Sequence, residues 1–236
     1  MLKNELVKRS PIRVLEKTIH GGLGKGNLGV FTARKGVGKT ACLVHFAIDK
    51  LVGGQKVLHI SFADKPQHIE SWYKQVFHEV AELYDLDDTQ SVYDEIIPGR
   101  LILHFKQSQL DLDRIKTSIE RIMRDGSFLP EMIIVDGFSF EDCSKDQMDF
   151  WQALAADNMV EVWFSATLHR EGLKLDANGV PAPINDYSDY FQVIIMLQPM
   201  QDHVDLKLLK DHDSTDLEQL RLKLDPRTLL IANHRV

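Results

Sequence analysis

The run Ala33-Arg34-Lys35-Gly36-Val37-Gly38-Lys39-Thr40 holds the residues whose types and spacing point most directly to chemistry. A Gly-Lys-Thr triplet closing such a run is the pattern of a phosphate-binding loop, Gly-x-x-x-x-Gly-Lys-Ser/Thr, with Ala33 where the first glycine belongs. Gly36 and Gly38 permit positive φ, which lets successive backbone N–H groups of residues 34–41, through Val37 to Ala41, converge on phosphate oxygens. Lys39 brings a point charge for the β- and γ-phosphates, and the Thr40 hydroxyl is a ligand for Mg²⁺. Alanine adopts most backbone conformations except those with positive φ, so Ala33 is compatible with the loop.

Such a loop works only between a strand and a helix. Asn27–Thr32 reads as a buried strand entering it, and Ala41–Ile48 as an apolar helix leaving it, whose N-terminal dipole adds positive potential. Asp136 ends the apolar run Met132-Ile133-Ile134-Val135 and sits where a carboxylate would hold Mg²⁺, directly or through water. Further strands are expected at Val57–Phe62, Leu101–Phe105, Val160–Thr167, Phe191–Leu197, Val204–Leu209 and Thr228–Ile231. Helices are expected over residues 1–19, 67–83, 111–124 and 145–157. The acidic stretch Asp85–Gly99 reads as a surface excursion and Arg170–Asp189 as an exposed loop or hairpin.

Alternating strands and helices imply an α/β fold: a mostly parallel sheet with helices on both faces, extended at one edge by C-terminal antiparallel strands. Ligands of such sheets bind at the carboxyl ends of the strands. The phosphate loop, Ser61–Asp64, Asp136 and Thr167–His169 all fall at strand ends, on one rim. His169 there reads either as a hydrogen-bond partner of a γ-phosphate or as a plain loop histidine. His45 and His59 lie within core elements, and His68, His78 and His104 lack partners at metal-ligand spacing.

Composition sets the outer limits. With 236 residues and a formal net charge of −7, the chain suits one α/β domain over residues 1–236, with 1–20 as helix and lead-in. The acidity argues against nucleic-acid binding by the whole surface. DNA as a partner is not supported, although Lys3, Lys8, Arg9, Arg13 and Lys17 form a local basic stretch that reads as a solvated helix face. No run of about 18 apolar residues exists to span a membrane. Cys42 and Cys143 lack metal spacing, and Cys42 reads as a packing residue. A cytoplasmic protein is expected.

The order of these motifs resembles the RecA-like ATPases of the KaiC, RadA and DnaB-helicase type. Gly21-Gly22-Leu23-Gly24-Lys25-Gly26-Asn27-Leu28 is similar to their lead-in to the first core strand. Ser61-Phe62-Ala63-Asp64 is similar to the "SFEE" of KaiC, Thr167-Leu168-His169-Arg170-Glu171 to its "T-x-HRE", and Leu209-Lys210-Asp211-His212 to its "LKMR" finger. The resemblance covers residues 10–215. It implies ATP and Mg²⁺ as ligands and a homo-oligomer with nucleotide at the interfaces, reached by Lys210 and His212 of a neighbouring copy. It also places Ala63 where the family's catalytic glutamate belongs and leaves Asp64 as the nearby carboxylate. His212 replaces the finger's arginine. These departures imply slow hydrolysis, or a module that binds nucleotide without turning it over. Arg34, just before the loop glycines, also resembles the signature basic residue of ParA/MinD-type partition ATPases, although their loop lies nearer the N-terminus. No Asn-Lys-x-Asp run for guanine is present.

Overall fold

Among the described residues, the strand that enters the Gly36–Gly38 loop is the middle one of nine. A computed structural model describes residues 2–86, 88–106, 112–124, 126, 128–168, 174–214 and 216–233. Its elements in chain order are α1 (Leu2–Arg9), α2 (Ile12–Thr18), β1 (Leu28–Ala33), α3 (Lys39–Val52), β2 (Val57–Ser61), α4 (Pro66–Leu83), α5 (Thr89–Ile96) and β3 (Arg100–His104). They continue as α6 (Leu112–Arg124), β4 (Met132–Asp136), α7 (Lys145–Asn158), β5 (Glu161–Thr167), β6 (Phe191–Pro199), β7 (Val204–Asp211), β8 (Leu222–Leu224) and β9 (Ile231–Asn233). One sheet runs β3-β2-β4-β5-β1-β6-β7-β8-β9. The strands from β3 to β6 pair in parallel, and β7 to β9 are antiparallel.

Each face of the sheet carries its own core. Leu28 and Val30 of β1 join Trp151 of α7 and Ile119 of α6 on one face; Phe31 and Ala33 join Phe46 of α3 and Tyr73 of α4 on the other. Every residue of β1, β2 and β4 is buried, which is how a strand covered on both sides reads as a continuous apolar run. Gly29 is required by packing: a Cβ there would come within 2.7 Å of the Trp163 ring. Trp163, Phe31 and Phe46 form an aromatic cluster with centroids 5.2–5.3 Å apart, holding the loop-bearing strand and helix together.

Several boundaries differ from the sequence expectations. The single N-terminal helix is broken at Ser10-Pro11, where proline lacks an N–H and Ser10 Oγ accepts from Ile12 N instead. The Asp85–Gly99 stretch contains α5, capped by Asp88 and anchored by buried Ile96. Of the exposed loop or hairpin expected over Arg170–Asp189, residues 174–182 take the hairpin, with Leu175 bridged antiparallel to Pro181, but the stretch is not fully exposed. Val180 and Ile184 are buried, Ile184–Tyr190 is a 3₁₀ helix, and Tyr187 donates to the Cys143 carbonyl at 2.6 Å. The expected strand Thr228–Ile231 is strand only at its last residue, where β9 begins, and β8 went unforeseen because three residues carry no periodicity. No helix among the described residues is long and apolar enough to cross a membrane.

Candidate functional site

Four strand ends and one helix start meet at the carboxyl rim. β1 ends at Ala33, inside the strand and without positive φ, so alanine serves here where glycine is usual. Gly36 and Gly38 take φ of 83° and 117°, the left-handed region that favours glycine. Gly38 caps α3. A Cβ at Gly38 would also lie 2.3 Å from Leu224 Cδ2, so β8 presses against the loop. Arg34, Lys35 and Gly36 are exposed, Val37 and Gly38 half-buried, and Ala41 buried.

Lys39 is buried, and its Nζ donates to the carbonyls of Ala33 at 3.1 Å and Arg34 at 3.2 Å. Burial pulls its ammonium down to a pKa of about 8, against the opposing pull of Asp136. The lysine is thus folded back on its own loop, a cation held by carbonyl dipoles and, among the described residues, without a contacting carboxylate.

Asp136, at the end of β4, is buried. Its Oδ2 accepts from Thr40 Oγ1 at 2.9 Å, and its Oδ1 accepts from Ser165 Oγ at 2.5 Å. Ser165, on β5, also accepts from Gly137 N at 2.8 Å. The two residues expected to ligate Mg²⁺ therefore touch, and a third holds the carboxylate in place. Sequence reading missed Ser165; its signal is a hydroxyl inside the apolar run of β5. Leu224 left no signal, because its role depends on a chain reversal distant in sequence.

The donor set fits Mg²⁺ and nucleotide. Magnesium is commonly held by one or two protein oxygens together with phosphates and water. Thr40 and Asp136 supply such a pair, and among the described residues no cluster of three His, Cys, Asp or Glu competes as an all-protein cage. The bound ion would neutralise charge on the β- and γ-phosphates.

β2 ends at Ser61, which lies beside Asp136 in the register. Ala63 and Asp64 fall beyond the strand, so alternation of faces along β2 does not govern where Asp64 points. The Asp64 carboxylate lies 3.0 Å from His68 Nδ1. Thr167 ends β5 beside Ala33, while His169 lies outside the described residues.

Lys210 and His212 are not brought to this rim. Asp211 pairs with Val193, and Val193 with Gly29, so the end of β7 is level with the start of β1. Roughly 13 Å of strand separates Gly29 from the loop end of β1. Lys210 Nζ donates to the Ser188 carbonyl at 2.8 Å. His212 is bonded through Nδ1 to Asp211 Oδ1 at 2.8 Å and through Nε2 to the Leu23 carbonyl at 3.2 Å. The buried Asp211 also meets His20 Nδ1 at 2.7 Å. This network ties the glycine-rich lead-in to the end of β7.

Compared with known proteins, the chain matches the family described as "AAA domain" over residues 3–147. No curated protein matches it. The matched segment ends before α7 is complete, although β5 and β6, which flank β1, lie beyond it in the same sheet.

Proposed function

This chain belongs to the AAA domain family, a family of P-loop ATPases, and from that premise we propose a RecA-like ATPase of the KaiC/RadA type that binds ATP with Mg²⁺. Lys39 and the loop N–H groups would hold the β- and γ-phosphates, and Thr40 and Asp136 the metal. The observation that carries the reading is the Thr40–Asp136 contact at 2.9 Å, between the start of α3 and the end of β4, beside a buried lysine. Calorimetry with MgATP tests it. Lys39→Ala should weaken binding at least about tenfold, roughly 1.4 kcal/mol; unchanged affinity would remove the assignment.

Hydrolysis is slow in this reading, because Ala63 offers only a methyl group where the resemblance places the catalytic carboxylate. That same feature favours the second reading, a sensor or assembly module that binds ATP without turnover. Steady-state hydrolysis, with and without DNA, separates the two. Oligomerisation belongs to the first reading: Lys210 and His212, at the far end of the sheet, reach a nucleotide only if it sits on another copy. Light scattering with a non-hydrolysable ATP analogue should show a species larger than one chain. A strict monomer at tens of micromolar would leave Lys210 a surface lysine.

A further inference from the structure

We propose that Ser165 sets the choice of metal at this site, favouring Mg²⁺ over Ca²⁺ by leaving Asp136 a single oxygen to offer. The role rests on the ATPase reading above, and Ser165 acts through Asp136 as a positioning residue.

The placement follows from the sheet. Side chains alternate across a strand. Met132 and Ile134 of β4 and Trp163 of β5 belong to the core on the α3 side, while Ile133, Val135, Val162 and Phe164 belong to the core on the other. The same alternation carries Asp136 and Ser165 to the α3 side. Val135 pairs with Phe164, so Asp136 and Ser165 are the next neighbours across the ladder. Thr40 lies in the first turn of α3, on that same side.

Asp136 and Ser165 are each only 3% exposed. A buried hydroxyl in an apolar strand must find partners, and Ser165 has two. Gly137 N donates to its oxygen at 2.8 Å, and its own proton goes to Asp136 Oδ1 at 2.5 Å. A hydroxyl carries one proton. With the backbone N–H on the oxygen, that proton is committed to the carboxylate, in a charge-assisted bond. The other oxygen, Oδ2, accepts from Thr40 Oγ1 at 2.9 Å. One oxygen of Asp136 is thus held by the sheet, and the other faces the proposed metal ligand. Offering both oxygens to one cation would pull Oδ1 off Ser165 and leave a buried hydroxyl without an acceptor.

This asymmetry separates the two ions. Ca²⁺ takes about six to eight oxygens and readily uses both oxygens of a carboxylate, whereas Mg²⁺ keeps a small octahedral shell completed by phosphates and water. One oxygen from Asp136 and one from Thr40 suit the smaller ion and leave the larger one short of ligands. Among the described residues no cluster of three His, Cys, Asp or Glu makes up the difference.

The test is calorimetry of the full chain with a non-hydrolysable ATP analogue in Mg²⁺, in Ca²⁺ and in EDTA, beside thermal unfolding. The same nucleotide solutions serve every variant, so the affinity of metal for nucleotide in solution cancels. The wild type should bind the Mg²⁺ complex more tightly than the Ca²⁺ complex. Ser165→Ala should weaken the Mg²⁺ complex by about tenfold or more, the usual scale for a lost outer partner of a metal ligand. It should leave the Ca²⁺ complex and the EDTA value unweakened, so that the preference falls by the same factor. Ser165→Thr, which keeps the hydroxyl, should keep the preference. If Ser165→Ala does not fold, Ser165→Cys, with only a weak donor, is read in the same way. A folded variant that keeps the wild-type ratio of Mg²⁺ to Ca²⁺ affinity overturns the proposal. So does equal weakening in all three solutions, the mark of a structural role alone, and so does a wild type that binds both metal complexes equally. Binding of neither complex by the wild type would instead remove the ATPase reading itself.

Discussion

Lys39 sets the chemistry of the loop because it is a cation under strain from its surroundings. Its folded-state pKa of about 8 lies below the usual 10.5. Between those values the unfolded chain binds more protons than the native one, so this group makes stability rise with pH there and imposes its full cost below about 8. Phosphate binding needs the charged form, so ATP affinity should fall as pH climbs through about 8. Titration calorimetry at pH 7 and 9 checks this; equal affinity would show that the lysine keeps its proton. Lys39→Met should weaken ATP binding yet stabilise the free protein by on the order of 2 kcal/mol at pH 7, read as a higher urea midpoint. In the proposed role, function and stability are opposed at this residue, and a bound phosphate would resolve the opposition.

At the scale of elements, the C-terminal hairpin of β8 and β9 is coupled to the phosphate loop. Leu224 is buried against Gly38, and Ile231 N donates to His45 Nδ1, inside α3, at 3.0 Å. Both contacts reach the helix that begins at the loop. Leu224→Ala should cost about 2–5 kcal/mol through the cavity it leaves. It should also weaken ATP binding several-fold, because the loop loses the wall that orders it before binding. Ile119→Ala, on the opposite face of the sheet, is the control: similar destabilisation, same affinity. Equal affinities in both variants would reduce the hairpin to ordinary packing. The β6–β7 turn is a separate local device. His203 meets Asp202 at 2.6 Å and Asp205 at 2.9 Å, and its hydrogen bond to Asp202 raises its pKa. That contribution is complete below the unfolded value and is lost as pH rises through the folded one.

The whole molecule should be acid-labile for a reason visible in its core. His45 and His59 are buried on the α3 and α4 side of the sheet, and burial pulls both pKa values down to about 4. Each is neutral in the fold and protonates on unfolding. Their contribution is present above about 6.5 and is lost as pH falls toward 4. Glu16 and Asp49, whose pKa values burial raises, act in the opposite direction near the acid end. The slope is therefore read between about pH 6.5 and 5, by urea unfolding of the wild type and of His45→Gln. The wild type should lose stability over that interval, and the variant should lose less. Parallel profiles would mean that His45 is not the titrating group.

The order of strands and helices, the strand–loop–helix around Gly36 and Gly38, and the mixed sheet were legible in the chain itself. Buried parallel strands must be continuous apolar runs, and a phosphate loop needs glycines and a lysine at fixed spacing; both are local requirements. What only the tertiary structure decided depends on residues far apart in sequence. Ser165 holds Asp136 from another strand, and Leu224 closes on Gly38 across the sheet. Asp64 lies beyond β2 and its carboxylate meets His68. Lys210 and His212, similar to a finger by sequence, lie at the end of the sheet away from the loop, because β7 runs against β6. Spacing along a chain fixes which groups a loop can present. The distance between two strand ends is fixed only when the sheet closes around its core.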